Sequence, residues 1–510
     1  MATALPANQP VKPRARSRFP FGWMTLAAVV AYVASRACLL AAFAPLFSDY
    51  QTYFQRAASG VDLGLVPYRD FTLEYPPAAY WCLALPRWLA PARLPRGLLG
   101  SGLWVKFVPD YGSTFRWEML GFDVLAFVLL LAIVARRRRE LLAPAAWTYV
   151  LLTTILAPVL LDRLDIGVLC LLLVWAWSWL RLDPDGSADS GRARLLPSRD
   201  IADSQARVSS AGASPSHLPA GSRSGSSRCP AFWQTLAYLA LGLGCSYKLI
   251  PAAIVPLVII ADVRAMRTFK DILRLAGGLL AFAATAVGPF AYYYHAAGPK
   301  LWSMFQYHKA RGLEIESLWG SLVLALRPLG LEVRAVNSYG SWNVASRFDV
   351  ELLALSTVAM ALILIVGLIR ACWPTRPFTR GDAYRWSLLT LLGLVLAAKV
   401  LSVQYLLWGL PAALLLGAER LSRGRFLLLC GGLLLIAALT TAVFPVLFFP
   451  QLPLFGHVFP IEHALIPKMD WLPAGLLIAR NVLLIALFAG LASMLFKGQP
   501  AKTAAATAGN

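Results

Sequence analysis

A cluster of carboxylates, tyrosines and one arginine follows the first hydrophobic segment of the chain. Its members are Asp49, Tyr50, Tyr53, Arg69, Asp70, Glu74 and Tyr75, and the paired prolines Pro76-Pro77 come directly after them. Polar groups at a bilayer surface are costly to desolvate, so they are expected where something polar binds or reacts. A carboxylate at the end of a membrane span can accept the proton of an attacking hydroxyl. We therefore predict an active site in the loop 48–116, with Asp49 as general base.

The composition indicates a membrane protein. The 510 residues are 58% hydrophobic and only 14% charged, and the mean hydropathy is +0.62. Apolar runs close to the ~20 residues that cross a bilayer recur along nearly the whole chain. We predict an all-α polytopic membrane protein of about twelve transmembrane helices, with interfacial helices in its outer loops.

The net charge of +21 does not indicate a nucleic-acid partner. The basic residues lie in short clusters beside apolar runs, and they do not form one stripe with interleaved aromatics. Such clusters mark the cytoplasmic side of a membrane protein. They lie at 12–18, 136–139, 264–270, 370–385 and 420–425. Both termini are then predicted to be cytoplasmic.

These markers fix the predicted order of spans. Segment 76–100 carries prolines and arginines inside an apolar stretch, so we interpret it as an interfacial helix on the outer surface. The predicted spans are 23–47, 117–135, 141–161, 166–181, 231–247, 249–262, 271–290, 351–370, 386–402, 404–418, 425–445 and 474–495.

The chain divides into two membrane parts around a linker. The first part, 23–181, contains the outer loop 48–116, and the second, 231–497, contains the outer loop 291–350. Residues 182–230 are rich in Ser, Ala, Gly and Arg without a hydrophobic period, which predicts a disordered cytoplasmic linker. Residues 1–22 and 498–510 are predicted cytoplasmic tails. The seven cysteines show no paired spacing, so no disulfide or metal site is predicted.

Polar clusters from distant parts of the chain are predicted to share the outer face with the Asp49 loop. Lys248 lies in a short turn, where it either binds a phosphate or extends toward the interface as a snorkelling lysine. Arg69 either binds a ligand or pairs with Asp70 or Glu74. Trp408 is either a stacking face or, as is commoner at a span end, an interfacial anchor. The predicted substrate-binding residues are Tyr50, Tyr53, Arg69, Asp70, Glu74, Tyr75, Arg163, Asp165, Lys248, His308, Arg311, Glu314, Glu316, Gln404 and Tyr405.

Several catalytic motifs are missing from the sequence. There is no phosphate-cradling glycine loop, no HExxH and no nucleophile elbow. A nucleotide-sugar donor would require a soluble binding domain, which the span pattern leaves no room for. The donor is therefore predicted to be a lipid.

With these residues in view, the chain resembles the polytopic glycosyltransferases of the GT-C fold that use polyprenyl-phosphate sugars. It is most similar to glycosyltransferase family 87, which includes mycobacterial polyprenol-phosphate-mannose-dependent α-mannosyltransferases. The segments that carry the resemblance are Asp49-Tyr50, Pro67-Tyr68-Arg69-Asp70-Phe71, Glu74-Tyr75-Pro76-Pro77, Asp162 to Asp165, Tyr247-Lys248-Leu249-Ile250-Pro251, Arg311 to Ser317, and Ser402 to Trp408.

The resemblance implies an inverting transfer of a sugar, with mannose favoured among hexoses and a pentose as the other choice. Asp49 takes the place of the general base, and Lys248 and His308 lie near the donor phosphate. The implied partners are a polyprenyl-phosphate sugar, a glycolipid or glycan acceptor and the bilayer of a bacterial inner membrane, with the active site outside. No metal is obligatory, although Asp49 and Asp165 leave a divalent cation open. The alternative function is a lipid or sugar transporter or flippase.

Overall fold

The structure is a computed structural model, and it describes residues 22–42, 57, 60, 63–89, 111–183, 229–454 and 457–497. Three predicted site residues, Asp49, Tyr50 and Tyr53, lie outside the described residues. So do most of the predicted linker 182–230, the end of the predicted interfacial helix, and nearly all of both tails. The other thirteen predicted substrate-binding residues lie within the described part of the chain.

The first half of the described chain is helical. Its helices are α1 (Trp23–Ala42), α2 (Pro77–Leu89), α3 (Tyr111–Arg137), α4 (Leu142–Ile155), α5 (Ala157–Leu160), α6 (Asp165–Arg181), α7 (Pro230–Tyr247) and α8 (Val255–Ala265). A 3-10 turn, Ile250–Ile254, joins α7 to α8. At about 1.5 Å per residue, the 13 residues of α2 are too short to cross the hydrocarbon core.

The second half adds further helices and five short strands. The helices are α9 (Phe269–Ala286), α10 (Gly288–Ala297), α11 (Ser303–Ala310), α12 (Leu318–Leu326), α13 (Asp349–Cys372), α14 (Arg380–Ala397), α15 (Leu406–Arg420), α16 (Arg423–Thr441) and α17 (Trp471–Phe496). The strands are β1 (Leu313–Glu314), β2 (Arg334–Ser338), β3 (Ser341–Ala345), β4 (Gln451–Leu454) and β5 (His457–Pro460).

The predicted all-α class is confirmed, with two small antiparallel sheets that the sequence analysis did not predict. One sheet has the order β1-β3-β2 and the other pairs β4 with β5. The turn between β2 and β3 holds Tyr339 and Gly340 at φ angles of 51° and 65°. Two successive residues with positive φ form the tight hairpin loop that matches strand twist.

Each predicted span overlaps a helix of the structure, but fewer helices meet the criteria for crossing a membrane. Among the described residues six stretches are long and apolar enough: 23–41, 111–137, 269–310, 349–372, 423–446 and 471–496. The stretch 269–310 is itself α9, α10 and α11 in succession. The number of crossings therefore stays a prediction.

Small residues allow the central helices to approach one another closely. A Cβ on Gly242 in α7 would lie 2.7 Å from the carbonyl oxygen of Phe282 in α9, and a Cβ on Gly278 would lie 2.6 Å from the Tyr238 ring. Close backbone approach at small residues is how helices associate in a bilayer, where the hydrophobic effect gives no drive between them. Helices α7 and α9 are therefore packed together through small residues.

A buried ion pair joins α1 to α3 and α4, and with its hydrogen-bond partners we name it the Arg36–Asp123 cluster. The Arg36 Nε donates to Asp123 Oδ2 at 2.8 Å, and the hydroxyls of Tyr32 and Tyr149 each donate to the same carboxylate at 2.7 Å. Arg36 also donates to the hydroxyls of Thr153 and Thr154 on α4. Asp123 is completely buried, so α1 is fixed to the bundle by a carboxylate whose two oxygens are both used.

Candidate active site

An ion pair between two helix ends forms the centre of the site. Asp165 is the first residue of α6, and Lys248 is the residue at which α7 ends. A carboxylate is favoured at a helix N-terminus and a cation at a C-terminus. Pro251 prevents α7 from continuing, because proline disfavours helix in the residue before it and lacks an N–H. The Lys248 Nζ lies 2.5 Å from Asp165 Oδ1.

Two aromatic residues enclose this pair. The Trp408 Nε1 donates to Asp165 Oδ1 at 3.0 Å, and Trp408 is only 2% exposed. Of the two roles considered for Trp408, the structure disfavours the interfacial anchor, because the indole N–H is used inside the bundle. The Lys248 ammonium lies 4.4 Å from the centre of the Tyr405 ring, a cation–π distance. Gln404 is half-buried in the same 3-10 turn, Val403–Tyr405.

A second carboxylate, Glu314, reaches the site from strand β1. Ser402 donates to Glu314 Oε1 at 2.7 Å, and the Arg311 Nη2 lies 3.6 Å from the same oxygen. The Lys399 Nζ holds this segment by donating to the carbonyl of Arg311 at 2.7 Å. Glu314 is thus fixed by Arg311, which precedes β1, and by Ser402, which lies in the turn before α15.

Glu316 lies two residues further on and is held by α17. Arg480 donates through Nη2 to the carbonyl of Glu316, and Asn481 donates to the carbonyl of Ser317 at 3.1 Å. The chain needs glycine at Gly320, because a Cβ there would lie 2.4 Å from the carbonyl oxygen of Glu314. The segment 314–317 is therefore packed from both sides.

Four polar atoms of these segments are buried without a hydrogen-bond partner in the described part of the chain. They are Glu314 Oε2, Glu316 Oε1, Arg311 Nε and Arg480 Nη1. Buried polar atoms are rarely left unpaired, since each costs free energy. Acceptors and donors left open side by side suit a ligand whose hydroxyls both donate and accept.

The described end of the first loop packs against α10 and α11. The His308 Nε2 lies 3.1 Å from the Glu74 carbonyl oxygen, and Lys300 donates to the carbonyl of Arg69 at 3.3 Å. Tyr68, which adopts φ 68°, donates to the carbonyl of Tyr75 at 2.6 Å. The loop that begins after α1 thus returns to the site through Glu74 and Tyr75.

Arg69 and Asp70 pair with each other at the surface. The Arg69 Nη2 lies 2.9 Å from Asp70 Oδ2, with side chains 49% and 27% exposed. Asp70 also accepts from the Val66 backbone N–H at 2.8 Å, and these hydrogen bonds lower the pKa of Asp70 to about 2. Of the two roles considered for Arg69, the structure shows the intraloop ion pair.

The turn before α6 contributes two more buried charges. Arg116 forms a bidentate pair with Asp162, at 2.8 and 3.0 Å. Arg163 is buried and acts electrostatically on both Lys248 and Glu316. Arg163 therefore lies between the Lys248 side and the Glu316 side of the site.

Electrostatic coupling unites the separate segments. Asp165 and Glu74 act electrostatically on Lys248. Arg311, Asp165 and Glu314 act electrostatically on Tyr405. We name Asp165, Lys248, Arg311, Glu314, Glu316 and Tyr405 the site cluster. Sequence positions more than 230 residues apart are here brought to one end of the bundle.

Burial shifts two ionisations within the site cluster. Burial lowers the pKa of the Lys248 ammonium, and the Asp165 carboxylate opposes this shift. Burial, with the neighbouring Glu314 charge, raises the pKa of Glu316, while Arg480 and Arg163 act in the opposite direction. The two groups are thus closer to neutral pH than free side chains are.

The sequence analysis did not single out Arg480, Arg116 or Glu118. Both carboxylate oxygens of Glu118 are buried without a hydrogen-bond partner among the described residues, and the Cys82 thiol lies against them. The available signal was a charged residue inside an apolar span, which is costly and usually functional. Arg480 in α17 carries the same signal.

A metal ion has no evident site in the described part of the chain. No group of three or more His, Cys, Asp or Glu side chains there could hold one. Asp49, the residue that would share a cation with Asp165, lies outside these residues.

The chain matches no protein family model and no curated protein. Among solved structures it is similar to ArnT from Cupriavidus metallidurans bound to undecaprenyl phosphate, with 14% identity and a TM-score of 0.34 over 93% of this chain and 77% of ArnT. The apo state of the same protein gives 13% identity and a TM-score of 0.33 over 93% and 75%. At these values the likeness supports no inference about the chain.

Proposed function

We propose that the chain is an integral membrane glycosyltransferase of the GT-C type, which moves a sugar from a polyprenyl phosphate to a hydroxyl acceptor. The observation that carries this proposal is the site cluster itself. It places the half-buried cation Lys248 beside Asp165 and against the Tyr405 ring, and Tyr405 in turn is acted on by Arg311 and Glu314. A phosphate-linked sugar has an anionic end and a hydroxyl-rich end, and the site cluster offers a match for each.

The sugar is recognised through the open carboxylate oxygens. Glu314 Oε2 and Glu316 Oε1 are free to accept hydrogen bonds from sugar hydroxyls, and Arg311 Nε is free to donate one. From the resemblance to family 87 we take mannose as the favoured sugar, with another hexose or a pentose as alternatives. The acceptor is a glycolipid or a glycan.

In the proposed reaction Asp49 takes the proton of the acceptor hydroxyl as its oxygen attacks the anomeric carbon. The bond from that carbon to the phosphate oxygen breaks, and the polyprenyl phosphate leaves with the electron pair. Lys248 and His308 stabilise the departing charge. One direct displacement inverts the anomeric configuration, so a β-linked donor gives an α-linked product. Positioning and phosphate stabilisation supply most of the acceleration, and no metal is required.

The side of the membrane on which the site lies follows from the positions of the basic clusters. We place the site on the outer face of a bacterial inner membrane, with both termini cytoplasmic, because the basic clusters mark the opposite loops. The bilayer then supplies the lipid donor directly to the site cluster.

The experiment is sugar transfer by the purified chain in nanodiscs, with a panel of polyprenyl-phosphate sugars and glycolipid acceptors. The variant is Asp49→Asn, and the matched control is Asp271→Asn, which changes a half-buried capping carboxylate at the start of α9. We expect Asp49→Asn to lose about 10²- to 10⁴-fold of the rate while it still binds donor. Asp271→Asn is expected to match the wild type.

Two results would contradict the proposal at different points. Equal transfer by wild type and Asp49→Asn would remove Asp49 as the base. No transfer with any donor, together with movement of lipid across the bilayer, would instead favour the transporter. Analysis of the product's anomeric configuration checks the predicted inversion.

A further inference from the structure

Arg480 is a charged residue buried in the last helix. It has no role in the reaction proposed above. The side chain is 0% exposed, and α17 is one of the stretches long and apolar enough to cross a membrane. A buried arginine in such a helix is costly, so it needs a partner that explains its presence. Its partners are Asn481 on the same helix and the segment that carries Glu316.

Arg480 contacts this segment in two ways. Its Nη2 donates to the carbonyl of Glu316, and its Nη1 lies 3.9 Å from the Glu316 Oε1 carboxylate oxygen. The planar guanidinium is itself fixed by Asn481, whose Oδ1 accepts from Nε at 3.1 Å and from Nη2 at 2.9 Å. One side chain thus contacts both the backbone and the carboxylate of Glu316.

Asn481 extends the same attachment. Its amide donates to the Ser321 hydroxyl at 2.6 Å and to the carbonyl of Ser317 at 3.1 Å. Two adjacent residues of α17 therefore hold the segment between β1 and α12 at several points. The Arg480 Nη1 and Glu316 Oε1 atoms are buried and remain without hydrogen bonds among the described residues.

We propose that Arg480 is a positioning residue, which fixes the backbone of Glu316 and places a positive charge beside its carboxylate in the site cluster. This inference rests on the proposed function, for which Glu316 accepts a hydrogen bond from the sugar. The charges that face Glu316 are Glu314 from β1, Arg480 from α17 and Arg163 from the turn before α6. Burial and the like charge of Glu314 raise the pKa of Glu316, and the two arginines act in the opposite direction.

The test compares Arg480→Gln, which removes the charge, with Arg480→Lys, which keeps the charge but loses the planar fork. Sugar transfer is followed against pH in nanodiscs, and the titration of Glu316 is followed independently by the infrared carboxyl band that disappears in Glu316→Gln. The control is Ser493→Ala, an exposed position on the same helix. Thermal unfolding is measured for every variant.

We expect the titration midpoint of Glu316 to rise by about 1 pH unit or more in Arg480→Gln. The same rise is expected in the infrared carboxyl band and in the acid limb of the kcat/KM profile. Arg480→Lys is expected to keep the midpoint close to that of the wild type while kcat falls by about 10- to 100-fold, since the backbone of Glu316 is no longer held. Ser493→Ala is expected to change neither.

An infrared midpoint in Arg480→Gln equal to that of the wild type would overturn the inference, even if the variant were less stable. A shifted midpoint in a protein that transfers no sugar would support the link between Arg480 and Glu316 while removing the proposed function. The infrared measurement therefore separates the two claims.

Discussion

The Arg36–Asp123 cluster and the site cluster both bury opposite charges, but they differ in how completely those charges are paired. Asp123 accepts from Tyr32, Arg36 and Tyr149, and no atom of this cluster is among the buried polar atoms that lack a partner. The site cluster leaves open atoms on Glu314, Glu316 and Arg311. A closed network holds helices together, whereas an open one retains hydrogen-bonding capacity for a ligand.

The two regions also differ in what holds them. The Arg36–Asp123 cluster joins three helices within the bundle. The site cluster collects side chains from helix ends, a two-residue strand and a 3-10 turn. Irregular backbone can present groups to a ligand that helices would keep turned toward their neighbours. The comparison predicts that changes in the first region act on stability and changes in the second on activity.

The largest expected effect is that of Asp123→Ala on stability. The substitution leaves the Arg36 guanidinium buried without its carboxylate, and we expect a loss of about 3–5 kcal/mol. Denaturant unfolding in detergent measures it, with sugar transfer normalised to folded protein. Unchanged stability with lost transfer would contradict the distinction between the two regions.

The next effect concerns Lys248 and the binding of a polyprenyl phosphate. Lys248→Ala removes a charge-assisted contact, so we expect a loss of about 1.5–3 kcal/mol of binding free energy. Because burial lowers the pKa of Lys248, its charge is present at low pH and is lost as pH rises through the lowered value. Affinity is therefore expected to fall as pH rises, earlier than for a free lysine.

Lys248→Arg is the matched control for that prediction. Arginine stays charged throughout this range, so its binding is expected to depend little on pH. Binding of polyprenyl phosphate across a pH series checks all three proteins. A wild-type affinity that does not change with pH, or a Lys248→Ala affinity equal to it, would argue against Lys248 as the phosphate contact.

The smallest expected effect is that of Ser402→Ala. It removes the hydroxyl that donates to Glu314, and we expect kcat/KM to fall by about 1 kcal/mol in free-energy terms. Thr154→Val removes one hydroxyl from the Arg36–Asp123 cluster and is expected to affect stability alone. Loss of transfer in Thr154→Val, with none in Ser402→Ala, would reverse the assignment of the two regions.

The sequence predicted the segments of the site better than the pairs within it. The turn at Lys248 and the start of α6 at Asp165 follow from apolar runs, Pro251 and the charges that flank them. Their ion pair joins positions 83 residues apart, and no local pattern specifies such a contact. The hydrogen bond of Trp408 was not predicted for the same reason, because its partner Asp165 comes from α6.

Charged residues inside apolar runs were also missed at the level of sequence. Arg480 and Glu118 lie within predicted spans whose high average hydropathy outweighs one or two charged residues, so neither was singled out. The hairpin of β2 and β3 was missed because its strands are short and lie in a loop that helix periodicity does not describe. The sequence feature that marks the hairpin is Tyr339-Gly340 in its loop. Glycine adopts positive φ readily, whereas the tyrosine does so at some cost.

The most direct test of the central claim is an experimental structure of the chain with a polyprenyl phosphate bound in nanodiscs. We expect a phosphate oxygen at about 3 Å from the Lys248 Nζ, with the prenyl chain extending into the bilayer beside the bundle. A phosphate bound instead at the opposite end, among arginines such as Arg137 and Arg385, with Lys248 still paired only to Asp165, would contradict it.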